Sequence, residues 1–158
     1  MSKKIYFEAK VEYQAANQEN GKIEKRVEYF ILEQAKLKDT NYADTEKQII
    51  AELRGYNNIG NVQVKGIKET NYVEVHETND SSHERFKCKV DMFTTNPETG
   101  KRMTASSYYL VQAEDSKKAI ERLDEIMDGI MVEYEIPNVA LTPIVDVLFI
   151  EVLDDMME

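Results

Sequence analysis

An internal repeat constrains this chain more than any other feature. The segment Tyr6-Phe7-Glu8-Ala9-Lys10-Val11-Glu12-Tyr13 matches Arg85-Phe86-Lys87-Cys88-Lys89-Val90-Asp91-Met92 at a constant shift of 79 positions. In both, every second residue is apolar, which is the period of a strand with one buried face. The same shift carries Gly21-Lys22 onto Gly100-Lys101 and Tyr29-Phe30-Ile31-Leu32 onto Tyr108-Tyr109-Leu110-Val111, so each copy opens with a β-hairpin. Asn20-Gly21 reads as a tight turn, because both residues tolerate positive φ, and Asn96-Pro97-Glu98-Thr99-Gly100 as a longer loop closed by glycine.

Further along, Ala43 to Leu53 aligns with Ala113 to Leu123 at a shift of 70. Ile49, Ile50 and Leu53, like Ala119, Ile120, Leu123, Ile126 and Met127, recur at spacings of three and four and predict two amphipathic helices. Asp44 or Thr45, and Asp115 or Ser116, are the expected N-caps, with Gly55 and Gly129 as stops. The smaller shift places extra residues around Lys36 to Tyr42 of the first copy. Ile67 to Val75 then aligns with Val139 to Val147 at a shift of 72, giving each copy a closing strand; Pro143 requires its strand to begin there or to lie at an edge.

The expected fold is therefore α+β: two tandem β-β-α-β units related by pseudo-twofold symmetry, mostly antiparallel, with one helix per unit. The predicted boundaries are residues 1–76 for the first unit, 77–84 for a Ser/Asn/Asp-rich linker, 85–150 for the second unit and 151–158 for an acidic tail. The second hairpin strand is apolar on both faces, Tyr29 and Ile31 on one and Phe30 and Leu32 on the other. One face must take the helix and the other the sister unit or, in a homodimer, a partner chain.

This ordered combination, with Tyr108-Tyr109-Leu110-Val111-Gln112-Ala113, an acidic helix ending near Asp128-Gly129, and Val132-Glu133-Tyr134-Glu135-Ile136 before the last strand, resembles the domain-of-unknown-function family numbered 4494. Those are small proteins of Bacteroides-type bacteria and their phages. The resemblance implies the fold and a phage or mobile-element origin, and it brings no catalytic or binding residues.

Composition narrows the function. Forty-two per cent hydrophobic and 32% charged residues make a globular chain. Apolar stretches such as Val147 to Ile150 are far shorter than the roughly 20 residues that span a bilayer, and the single Cys88 makes no internal disulfide, so the expectation is a cytoplasmic protein, in the host cytoplasm if phage-encoded. A formal net charge of −10 disfavours nucleic acid as a partner and leaves basic proteins and small ligands open.

No residue pattern announces chemistry. His76 and His83 lie near Glu77, Asp80 and Glu84 but in the linker, without the rigid spacing of a metal site. Gly100-Lys101 lacks the glycine five positions earlier and the following hydroxyl of a phosphate loop, since Thr95 and Arg102 stand there. Cys88 takes the place of Ala9 in the other copy and reads as core. The expectation is a protein with no catalytic residues, metal or cofactor, monomeric or homodimeric. It is read as an interaction or adaptor protein that binds a host or phage protein through an acidic surface. The candidate binding residues are the aromatic pairs Tyr29-Phe30 and Tyr108-Tyr109 and the tail carboxylates Asp154 and Asp155. Two alternatives are a single-strand nucleic-acid binder stacking bases on Tyr29, Tyr108 and Tyr109, with the tail recruiting partners, and a receptor or sponge for a nucleotide or metabolite with its pocket between the units.

Overall fold

Alternating apolar residues build two hairpins with one register. In the computed structural model, which describes residues 4–35, 42–54 and 59–149, strands β1 (Lys4–Ala16) and β2 (Ile23–Ala35) pair antiparallel, as do β5 (Glu84–Thr95) and β6 (Arg102–Ala113). Ala9 faces Phe30 and Cys88 faces Tyr109, each pair displaced from the other by the 79 positions of the repeat.

The two connecting turns are the same turn, which corrects the expectation of a tight one and a longer one. In each, an asparagine exchanges backbone hydrogen bonds across the loop. Asn17 N donates to Lys22 O at 2.7 Å and Gly21 N to Asn17 O at 2.7 Å; Asn96 N donates to Lys101 O and Gly100 N to Asn96 O, both at 2.8 Å. The Asn17 and Asn96 side-chain oxygens accept from Glu19 N and Glu98 N. Gly21 and Gly100 close the loops at φ of 71° and 70°, the left-handed conformation glycine adopts without steric cost.

Helix α1 (Tyr42–Arg54) follows the first hairpin and helix α2 (Ser116–Met127) the second. Asp115 caps α2, its carboxylate accepting from Lys118 N at 2.8 Å, and Gly129 lies just beyond the helix at φ 89°. Helix α1 begins at Tyr42, so neither Asp44 nor Thr45 is its cap and Thr45 is buried in the first turn. Gly55 and residues 36–41 of the extra segment lie outside the described residues.

The closing segments depart from expectation. Ile67 to Val75 is not one strand: β3 (Ile59–Glu69) ends before Thr70, and β4 (Tyr72–His76) begins after Asn71. Likewise β7 (Glu133–Leu141) ends before Thr142-Pro143, and β8 (Ile144–Phe149) follows. A threonine stops each ladder on the neighbouring strand. Thr70 donates its N and Oγ1 to Tyr6 O at 2.9 and 2.7 Å, and Thr142 donates both to Arg85 O at 3.0 and 2.8 Å. Beyond that latch Pro143 has no N–H with which to extend the ladder.

Each last strand then joins the other copy's hairpin. Strand β8 pairs parallel with β2 and β4 pairs parallel with β6, giving one four-stranded sheet in the order β3-β1-β2-β8 and another in the order β4-β6-β5-β7. The fold is α+β, two mostly antiparallel sheets with one helix per unit. Its units are the chain up to Thr70 together with the chain from Ile144 on, and the continuous span Asn71–Pro143. The division thus falls at 70/71 and 143/144, and residues 77–84 lie inside the second unit rather than between units.

The helix-facing sides make the two cores. In the first unit Phe7, Ala9, Val11, Phe30, Leu32 and Leu148 pack with Ile49 and Leu53; in the second, Phe86, Cys88, Val90, Tyr109 and Val111 pack with Ala119, Leu123 and Met127. Leu148 belongs to the exchanged β8, so the first core is incomplete without it. On the opposite faces Ile31 and Leu110 are also fully buried. One bulge falls at matching places, after Lys10 in β1·β3 and after Lys89 in β5·β7, where it accommodates Pro137, which cannot donate to a ladder; β1·β3 has a further shift between Glu12 and Gln14 that β5·β7 lacks.

Candidate functional site

The aromatic pairs are split by the alternation that places neighbours on opposite faces. Phe30 and Tyr109 are buried in the two cores and are unavailable to a ligand. Tyr29 and Tyr108 are half-buried on the other faces. Asp154 and Asp155 lie outside the described residues.

Beside Tyr29 an open cleft of about 340 Å³ is lined by Glu8, Lys10, Tyr29, Gly66, Ile67 and Lys68. Glu8 and Lys10 come from β1, with Lys10 directly opposite Tyr29 in the register. Gly66 sits at the β3 bulge, where an added Cβ would meet nothing within 4 Å. The Lys68 ammonium lies 3.7 Å from the Glu8 carboxylate, with the lysine side chain 73% exposed and the glutamate 22%.

The matching place in the second unit is filled differently. Lys87 stands where the first copy has Glu8, and its ammonium lies 4.7 Å from the centre of the Tyr108 ring and 5.7 Å from that of Tyr72. Tyr72 is the β4 residue paired with Tyr108, and Ile144 of β8 holds the corresponding place beside Tyr29.

Residues 77–84 are tied down by buried polar groups. The Arg85 guanidinium is buried and forks onto Glu77 through two bonds of 2.8 Å. Gln112, also buried, accepts from Thr78 N at 2.8 Å and donates to Asp80 O and His83 O at 3.1 Å. From α2, Arg122 donates to the carbonyls of Gln112, Glu77 and His76. A linker composition therefore codes for a clamped loop. The two histidines pair apart, His76 at the end of β4 with Glu74 at 3.2 Å and His83 in the loop with Asp80 at 3.3 Å. Among the described residues no three His, Cys, Asp or Glu side chains converge as metal ligands.

Cys88 is fully buried, and burial pushes its thiol from 9.0 up to about 11, which holds it protonated and poorly nucleophilic near neutrality. Tyr13 donates its hydroxyl to Glu28; burial first, and then that carboxylate, push it from 10.0 up to about 12.

The second feature of the surface is the C-terminal half of α2. Glu121, Asp124, Glu125 and Asp128 are exposed there, and the last turn holds no basic residue, while Lys117 and Lys118 occupy the first turn. This arrangement opposes the helix dipole, whose C-terminal end is already negative. Just beyond it Ile130 is exposed and Met131 is 98% exposed.

Together these features define an α+β protein of two sheets with exchanged edge strands, a charged cleft on one unit and an acidic helix end on the other. The family model described as Domain of unknown function (DUF4494) matches residues 5–150, and the chain belongs to that family. No curated protein and no solved structure matches it. Among the described residues no helix is long and apolar enough to cross a membrane.

Proposed function

We propose that this is a non-catalytic interaction protein of a Bacteroides-type bacterium or its phage, acting in the bacterial cytoplasm, that docks a basic protein partner on the acidic end of α2. The observation that carries the reading is the reversed charge order of that helix. Carboxylates at a helix C-terminus cost stability, by roughly 0.3–1 kcal/mol each at the surface. Glu121 pairs with Lys118 at 3.3 Å and Asp124 accepts from the Tyr134 hydroxyl at 2.9 Å, but among the described residues Glu125 and Asp128 make no side-chain bond, and a local arrangement that breaks a folding preference without evident gain is expected where a surface serves something other than the fold. The net charge of −10 adds a long-range field that steers cationic partners, and exposed Ile130 and Met131 beside it supply an apolar anchor.

The test is capture from host lysate by the immobilised full chain, compared with the triple variant Glu121→Gln, Glu125→Gln, Asp128→Asn. Binding that weakens with salt and is lost in the variant is the expected result; an unchanged set of captured proteins contradicts it. The nucleic-acid alternative is weakened by the burial of Tyr109, one of the three rings it would stack bases on.

A further inference from the structure

The repeat lets one unit report on the other's empty space. In the second unit a cation occupies the ring faces, the Lys87 ammonium resting over Tyr108 and Tyr72. An ammonium over an aromatic face is held by the ring's quadrupole, more strongly as water is excluded. In the first unit the ring survives as Tyr29 but the cation does not. Among the described residues no lysine or arginine lies over Tyr29, the Lys87 position is a carboxylate, Glu8, and a cleft of about 340 Å³ opens beside the ring. That is within the size range of small-ligand sites. An aromatic face and a carboxylate, only 22% exposed, are thus presented where the sister unit places an ammonium.

The rest of the lining sets the other end of the ligand. Lys10 lines the same cleft and makes no ion pair among the described residues, which leaves its charge available to a ligand. Lys68 reaches Glu8 at 3.7 Å but is mostly exposed, and so loose and solvated a pair contributes little and yields readily to a better-placed cation. Gly66 offers bare backbone, leaving the floor open.

We propose that this cleft binds a small zwitterion, its ammonium group between Tyr29 and Glu8 and its carboxylate or phosphate against Lys10. This site lies on the first unit and goes beyond the protein-docking role assigned to α2.

Amide NMR spectra of the full chain, titrated with trimethylglycine, test it, with tetramethylammonium chloride and sodium acetate as single-charge arms. Trimethylglycine is expected to shift the Tyr29, Gly66 and Ile67 amides saturably, tetramethylammonium to shift the same amides more weakly, and acetate to leave them unmoved. Glu8→Gln is expected to weaken trimethylglycine binding about threefold or more, the scale of one lost ion-pair contact, since a quaternary ammonium offers the carboxylate no N–H. Tyr29→Phe, which keeps the ring face, is expected to bind within about twofold of wild type. Glu8→Lys recreates the sister arrangement and is expected to abolish binding while retaining a cooperative melt. Acetate shifting these amides as strongly as trimethylglycine would mark a plain anion site and overturn the proposal, as would the absence of any shift or undiminished binding by Glu8→Gln.

Discussion

Gln112 is the side chain on which residues 77–84 turn. Its amide holds one backbone N–H and two carbonyls. Replacing it by leucine keeps the volume but strands those groups. Because the loop is partly solvated, water can recover some of them, so Gln112→Leu is expected to cost about 2 kcal/mol in urea unfolding and to speed hydrogen exchange at Thr78. A loss below measurement error would mean the loop holds itself. Nothing in the composition of residues 77–84 foretold this, since Ser, Asn and Asp are as common in clamped turns as in linkers, and Gln112 and Arg122 act from 29 or more positions away on His83, Asp80 and Glu77. Cys88, by contrast, was legible as core from its alignment with Ala9. Its raised folded-state pKa means that the unfolded chain loses its thiol proton first as pH climbs. The corresponding stability is intact below about pH 9 and gone by about pH 11, on the order of 2 kcal/mol. Cys88→Ala, which installs the residue of the other copy, is expected to flatten that decline in urea midpoints between those pH values. An identical decline in the variant would assign it to Tyr13 or to other groups.

Among the elements, hairpins and helices were readable because their signals are local. Alternation fixes a strand face, and a glycine that must adopt positive φ marks where the chain turns, though not which turn it makes. The closing strands were not readable. Thr70-Asn71 and Thr142-Pro143 are too short to look like turns, and which sheet the next few residues join depends on pairing far along the chain. The cleft was legible only as Tyr29, because its charged lining comes from β1 and β3, which only the fold brings together. Helix α2 carries a prediction of its own. Neutralising Glu125 and Asp128 relieves the clash with the dipole, so Glu125→Gln with Asp128→Asn is expected to raise stability by about 0.5–2 kcal/mol at low salt while weakening partner capture. A variant that is both less stable and unimpaired in binding would remove the argument for that surface.

At the scale of the molecule, the duplication persists in matched registers, turns, bulges and threonine latches, yet the two copies are not tandem folding units. Each hairpin takes its outer parallel strand from the other copy, which makes the first unit discontinuous and the second a continuous span, Asn71–Pro143. The fourth strand of each copy completes the sheet it joins. Strand β4 supplies Tyr72 beside Tyr108, and the chain following it supplies Glu77 to Arg85, whereas β8 supplies Leu148 to the first core. The decisive measurement is the thermal unfolding of two excised fragments, residues 71–143 and residues 77–158. Exchange of the last strands predicts a cooperative transition for 71–143, with 77–158 unfolded or melting far lower because it lacks β4. A fragment 77–158 that melts as cooperatively as 71–143, and as high, would contradict the exchange and restore a plain tandem repeat.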